Sequence, residues 1–128
     1  MLGELPIRGT DSQGAGYYGA PRGSRTHKGI DLACYPGTSI RSTVCGTVTK
    51  LGYPYADKLE FRYVQVTAQA TGLNHRYFYI TPVVEIGQLV TLETVLGFSQ
   101  SLPYDGITQH VHYEIKDGSE YLDPTDLA

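Results

Sequence analysis

The chain has 128 residues, enough for one domain and too few for two ordinary ones. Hydrophobic residues make up 41% and charged residues 18%, so a chain of this size builds a core of its own and is not disordered. Ten Lys and Arg stand against 13 Asp and Glu with no basic cluster, which excludes a phosphate-tracking nucleic-acid binder and leaves uncharged or cationic peptides as partners.

The first residues, Met1 to Arg8, lack the basic start and apolar run of a signal peptide, and no stretch approaches the ~20 apolar residues of a membrane span. A cytoplasmic protein, an excised domain and a protein released by lysis all fit that start. Residues 1–26 are dense in Gly, Ser, Pro and Arg and read as an irregular lead-in winding over the surface. From Gly29 onward, short β-type runs alternate with turn residues. Gly29–Cys34 is the first run, and Pro36-Gly37 makes a turn. Thr38–Ser42 and Gly46–Leu51 follow, rich in Thr, Val and Ile.

Phe61–Ala68 reads as an alternating strand, with Phe61 and Tyr63 facing one way. Arg76–Ile80 is an aromatic run suited to a central strand. Glu85–Val90 and Thr94–Ser99 look like small hairpin arms, and His110–Lys116 is the last clear strand. No window of a dozen residues sustains a 3.6-residue apolar period, and no repeat has a solenoid period. These patterns predict an all-β domain over residues 1–128, a compact antiparallel sheet with little helix. The two cysteines, Cys34 and Cys45, read as free, buried thiols in preference to a disulfide. The lack of C-x-x-C spacing argues against a cysteine zinc site.

Three of the four histidines fall in two compact motifs, His27-Lys28-Gly29-Ile30-Asp31 and His110-Val111-His112. In a strand, residues i and i+2 leave the same face about 6.6 Å apart at Cα, so both imidazoles of the second motif can lean toward one point. Either both bind a metal, or one binds and the other stands beside it. The first motif is too long to converge in a straight strand, and Gly29 permits a bend. Two neutral imidazoles and a carboxylate suit zinc, and one tetrahedral position stays open for water. Against this, an H-x-H on an edge strand is often two solvated histidines, and an H-x-x-x-D spacing also arises by chance. His75, just after Gly72-Leu73-Asn74, reads as a surface histidine. Glu114 shares the face of His110 and His112, as an acceptor for an imidazole N–H or as a solvated carboxylate. The eleven tyrosines could line a groove, although Tyr is also common in strands.

The run Arg25 to Ala33, then Pro36-Gly37-Thr38 and Gly46-Thr47-Val48, resembles the start of the M23 (LytM/lysostaphin-type) zinc metallopeptidase domain. Gly87 to Val90, Leu96-Gly97 and Gln109 to Ile115 resemble its second half, so the likeness covers about residues 17–125. It implies one zinc ion held by His27, Asp31 and His112, with His110 as the catalytic histidine. It further implies a monomeric endopeptidase for peptide bonds of bacterial peptidoglycan, acting at the cell wall, with a phage or prophage setting suited to the short chain. The family usually carries a second active-site histidine in a Tyr-x-His-Leu motif. Here the matching run is Tyr77-Phe78-Tyr79-Ile80, which puts Tyr79 in that place. Phe78 to Pro82 and Gly106 to His112 also resemble the leukocyte cell-derived chemotaxin 2 group, zinc-bearing relatives regarded as non-peptidase signalling proteins. A non-catalytic zinc module is therefore the alternative expectation.

Overall fold

The computed structural model describes residues 2–11, 14–22, 25–104 and 106–125. Among the described residues there are twelve strands: β1 (Pro21–Arg22), β2 (Arg25–Thr26), β3 (Ile30–Ala33), β4 (Ser39–Arg41), β5 (Gly46–Gly52), β6 (Tyr63–Ala68), β7 (Asn74–Phe78), β8 (Ile80–Pro82), β9 (Leu89–Val90), β10 (Val95–Ser99), β11 (His110–Asp117) and β12 (Glu120–Leu122). The helical piece among the described residues is a 3-10 turn, Leu2–Glu4, and no helix is long and apolar enough to cross a membrane. Seven strands form one sheet in the order β12-β11-β7-β6-β5-β9, with β3 also paired to β11. β4-β10-β8 form a second sheet. All the strand pairs are antiparallel. The fold is all-β, as the runs of Thr, Val, Ile and Tyr predict.

Register sorts the side chains of the large sheet into two faces. Tyr77 lies opposite both Val64 and Tyr113, and Val66 lies opposite His75. With Ile30, Val48 and Ile115 these residues face inward, where Ile40, Ile80 and Leu96 of the small sheet complete the core. The other face carries Asp31 opposite His112, and His112 opposite Phe78. Along β11, the period-2 pleat therefore sends Val111, Tyr113 and Ile115 into the core and His110, His112 and Glu114 out to the far face.

Several local expectations need correction. The strand in the 61–68 run begins at Tyr63, and it is buried nearly throughout instead of alternating. The reason is its interior position: Val64 and Val66 face the core, while Tyr63 stacks on Phe78 at 4.7 Å on the other side. The 76–80 run is two strands, broken at Tyr79. That residue has φ of 68°, a left-handed conformation that costs an ordinary side chain roughly 1 kcal/mol or more. There the chain leaves the large sheet and enters the small one. The two expected hairpin arms do not pair with each other: β9 joins β5, and β10 runs between β4 and β8. Both cysteines are free, but Cys45 is exposed and Cys34 only partly buried.

Candidate metal centre

His27 follows β2, and Asp31 lies inside β3, four residues on. Gly29 between them has an ordinary backbone, so it serves something other than a left-handed bend. A Cβ at Gly29 would sit 2.2 Å from the Tyr113 carbonyl oxygen. Its missing side chain lets the segment approach β11, which carries His112. The result is a triangle of ligand atoms. His27 Nε2 lies 3.0 Å from His112 Nδ1 and 3.2 Å from Asp31 Oδ1, and His112 Nδ1 lies 2.9 Å from the same oxygen. Among the described residues, His27, Asp31 and His112 are the group of three that could hold an ion.

The outward nitrogens fix the tautomers. His27 Nδ1–H donates to the Tyr17 carbonyl at 3.0 Å, and His112 Nε2–H donates to Glu114 Oε1 at 2.9 Å. Neither partner can donate in return when Glu114 is ionised. In that tautomer a neutral imidazole turns a lone pair to the centre, the form that binds a metal, whereas without a metal a proton taken up by His112 lies between the facing nitrogens and the carboxylate oxygen. Such a cluster calls for a cation at its centre. Ligands bound at about 2.0–2.2 Å to a tetrahedral ion stand about 3.3 Å apart, close to the spacing observed. The donor set of two imidazoles and a carboxylate suits zinc.

The electrostatics agree. Burial alone would lower the His112 pKa, but the bonds and charges of Asp31 and Glu114 outweigh it and push it up to about 9. Burial alone would raise Asp31, yet hydrogen bonds from His112 and His27 hold it well below the usual carboxylate range. The metal-free site thus draws in positive charge. Of the two alternatives for Glu114, it is the imidazole acceptor.

His110 stands beside the triangle. Its Nδ1–H donates to the Thr108 carbonyl at 2.6 Å, which leaves a lone pair on Nε2, 3.7 Å from Asp31 Oδ2 and beyond hydrogen-bond reach. Burial lowers its pKa and keeps the ring neutral. Tyr79 packs edge-on to this ring at 5.7 Å between centroids. Its left-handed backbone turns it to the same side as Phe78, its neighbour in sequence, so both line one groove of about 340 Å³. The Tyr79 hydroxyl pairs with that of Tyr55 at 2.6 Å, and burial keeps it protonated far above neutral pH.

Sequence reasoning missed two groups here. Arg8 lies in the lead-in and is 2% exposed. Its Nε and Nη2 both donate to Asp31 Oδ2, at 3.1 and 2.8 Å, and its Nη1 lies 2.7 Å from Asp11. The lead-in reaches the site because it lies along β3: Arg8 N–H donates to the Asp31 carbonyl, and Ala33 N–H to that of Pro6. The second group is an aromatic wall of Tyr55, Phe61 and Tyr104 beside Tyr79. No local pattern marks either. His75, expected at the surface, is buried on the opposite face of the sheet.

The family model for peptidase family M23 matches residues 25–124, both histidine motifs included. The chain belongs to peptidase family M23. It is 33% identical to leukocyte cell-derived chemotaxin-2 of Mus musculus over 122 residues, 93% of this chain and 77% of that one. Its fold superposes on the catalytic domain of the antimicrobial peptidase lysostaphin from Staphylococcus simulans with a TM-score of 0.73 at 20% identity, covering 98% of this chain and 92% of that domain. It spans about half of a longer lysostaphin chain. The catalytic domain of the prophage-encoded M23 protein EnpA from Enterococcus faecalis gives a TM-score of 0.69 at 23% identity, covering 93% of this chain and 89% of that one.

Proposed function

We propose that this chain is a zinc-dependent endopeptidase that hydrolyses peptide bonds of bacterial peptidoglycan. The observation that carries this reading is the convergence of His27 Nε2, Asp31 Oδ1 and His112 Nδ1 in an open groove, with the bare Nε2 of His110 beside them. A zinc ion held by those three groups supplies Lewis acidity, polarising a carbonyl and bringing the pKa of water toward about 7.

The chain's own residues supply the rest. His110, held by Thr108, accepts a proton at Nε2 from the attacking water and returns it to the leaving amine. The Tyr79 hydroxyl, kept protonated by burial, donates to the oxygen on which charge develops. Tyr55, Phe61 and Tyr104 offer an apolar flank along which an extended, uncharged peptide can lie. The work this reading implies is at the bacterial cell wall, by a protein released on lysis or carried on a virion.

A second reading, a zinc-bearing binding or signalling module, is favoured by two observations. One is the 33% identity to a chemotaxin. The other is Tyr79 in the place of the second histidine, because a hydroxyl with a reference pKa of about 10 is a poor base near neutral pH. Release of amino groups from purified peptidoglycans of several cross-link types separates the two. Each reaction is run with zinc, with a chelator and with His110→Ala. Release that needs both the metal and His110 supports the peptidase. A folded, zinc-loaded protein that releases nothing from any of them supports the binding module.

A further inference from the structure

The face of the large sheet turned away from the metal centre holds a second cleft, about 730 Å³ in volume and lined mostly by apolar side chains. Val44, Ala68, Leu73 and Leu92 form its walls, and His75 lines it from within the fold. This volume falls within the range of small-molecule sites. His75 is 3% exposed. Its Nδ1 bonds to the Tyr113 hydroxyl at 2.7 Å, and its Nε2 has no hydrogen-bond partner among the described residues. Among the described residues, no side-chain nitrogen or oxygen is both sealed from solvent and unbonded. The free nitrogen is therefore not sealed, and His75 lines this cleft.

A chain of hydrogen bonds ends at His75 and couples its tautomer to the hydroxyls of Tyr77, Thr43 and Tyr113. The Thr43 amide donates to the Tyr77 hydroxyl oxygen at 3.0 Å, and the Tyr77 and Thr43 hydroxyls share a bond of 2.6 Å in which either can donate. The Thr43 and Tyr113 hydroxyls share a bond of 2.9 Å, and the chain ends at His75 Nδ1, which accepts when Tyr113 donates along it. With Nδ1 accepting, the proton of the neutral imidazole sits on Nε2. Burial lowers the His75 pKa to about 4, so the ring is neutral at pH 7. A buried donor left without a protein partner costs about 1–3 kcal/mol unless something else satisfies it.

We propose that this cleft binds a small, uncharged, largely apolar molecule whose carbonyl or similar oxygen accepts a hydrogen bond from His75 Nε2–H. The apolar walls take the body of the ligand, and the His75 donor fixes its orientation, with Gln69 and Thr71 also among the lining residues. An anion gains little here, because the donor is neutral and no Lys or Arg lines the cleft. The site lies on the opposite face of the sheet from His112, so it stands whether or not the groove hydrolyses peptides.

The test uses acetophenone and its shape match without the acceptor, α-methylstyrene. Each is titrated into the folded protein while NMR follows the imidazole nitrogens and the methyl groups of Val44, Leu73 and Leu92. The expected result is a free protein with the His75 proton on Nε2 and saturable shifts at His75 and these methyl groups. Acetophenone should bind about tenfold more tightly than its match, the effect of one hydrogen bond, and His75→Phe should erase that preference. Leu92→Trp, which leaves the buried network alone and fills the cleft, should abolish the shifts. A proton on Nδ1, equal affinity for both probes in the unaltered protein, shifts confined to His110 and His112, or no saturable shift up to the solubility limit would each overturn the proposal.

Discussion

Arg8 holds Asp31 by one oxygen alone: two guanidinium nitrogens donate to Oδ2, and Oδ1 is left facing His27 and His112. The bond orients the carboxylate and compensates its buried charge, which the triangle of imidazoles cannot do when both are neutral. Partners that orient a metal ligand in this way typically contribute 10- to 100-fold to affinity. Arg8→Met, which keeps the length and burial of the side chain, is therefore expected to weaken zinc binding by about that factor, read by competition with a chelator of known affinity. Unchanged affinity in a folded variant would mean that the β3 backbone alone aims Asp31.

His112 and His110 sit two residues apart on one face of β11 and should separate cleanly. His112→Ala removes a corner of the triangle, and stoichiometric zinc should be lost. His110→Ala leaves the three ligands in place, so zinc should be retained while peptidoglycan hydrolysis falls by about 10²–10⁴. Metal analysis and amino-group release on the same preparations test both. Full zinc retention in the first variant, or undiminished turnover in the second, would remove that residue from its assigned role.

Tyr79 combines a left-handed backbone with a hydroxyl bonded to Tyr55. Tyr79→Phe keeps the ring that packs on Phe61 and His110 and deletes only the donor. Loss of one oxyanion donor costs about 10²–10³ in turnover, so this variant should retain zinc and slow hydrolysis by that amount. Tyr79→His, which supplies an imidazole where the resemblance to the family implies one, should preserve or raise the rate. Equal rates for the unaltered protein and Tyr79→Phe would show that the hydroxyl takes no part.

What was legible in the sequence follows the range of the interactions. The β runs and the two histidine motifs were legible because strand alternation and ligand spacing are local. The break at Tyr79 was hidden, because neither Gly nor Pro marks it and its cause is the passage of the chain between two sheets. The turn before His75 suggests a surface position, yet the residue is buried. The strand begins at Asn74, so parity with the buried Tyr77 was the better guide. Arg8 meets Asp31 across 23 positions and Tyr55 meets Tyr79 across 24, with nothing local to announce either pair.

Gly29 offers a test of how the site is assembled. Its spacing suggested a hinge, but the structure gives it a packing role, since a Cβ there would strike the Tyr113 carbonyl at 2.2 Å and crowd the His112 ring at 3.0 Å. The backbone of β11 cannot yield without breaking its pairing to β3 or β7. Gly29→Ala should therefore cost about 2 kcal/mol or more, within the range of overpacking substitutions, and lower the thermal midpoint by roughly 6 °C or more. Zinc affinity should fall with it, because the substitution pushes His27 and His112 apart. A midpoint within a degree of the original would show that the segment moves aside freely.

The buried His75 gives a pH dependence with a definite sign. Its pKa is about 6.5 in the unfolded chain and about 4 in the fold, lowered by burial. Between those values the unfolded state binds more protons than the native state, so stability rises with pH across the window. The contribution is complete above about 6.5 and is lost as the pH falls toward 4. It amounts to something on the order of 2 kcal/mol. The groups facing His75 do not titrate in that range: Tyr77 and Tyr113 ionise far above it, and Val66 and Ile115 are apolar. Other histidines and carboxylates do titrate there, so the measurement is a difference between urea unfolding of the unaltered protein and of His75→Gln at pH 4.5, 5.5 and 7. Gln retains a side-chain hydrogen bond to Tyr113 without the titration. The gap in stability between the two proteins should narrow by about 2 kcal/mol from pH 7 to pH 4.5. A constant gap would mean that the imidazole enters the fold already able to carry its proton, with water in the cleft close enough to solvate it.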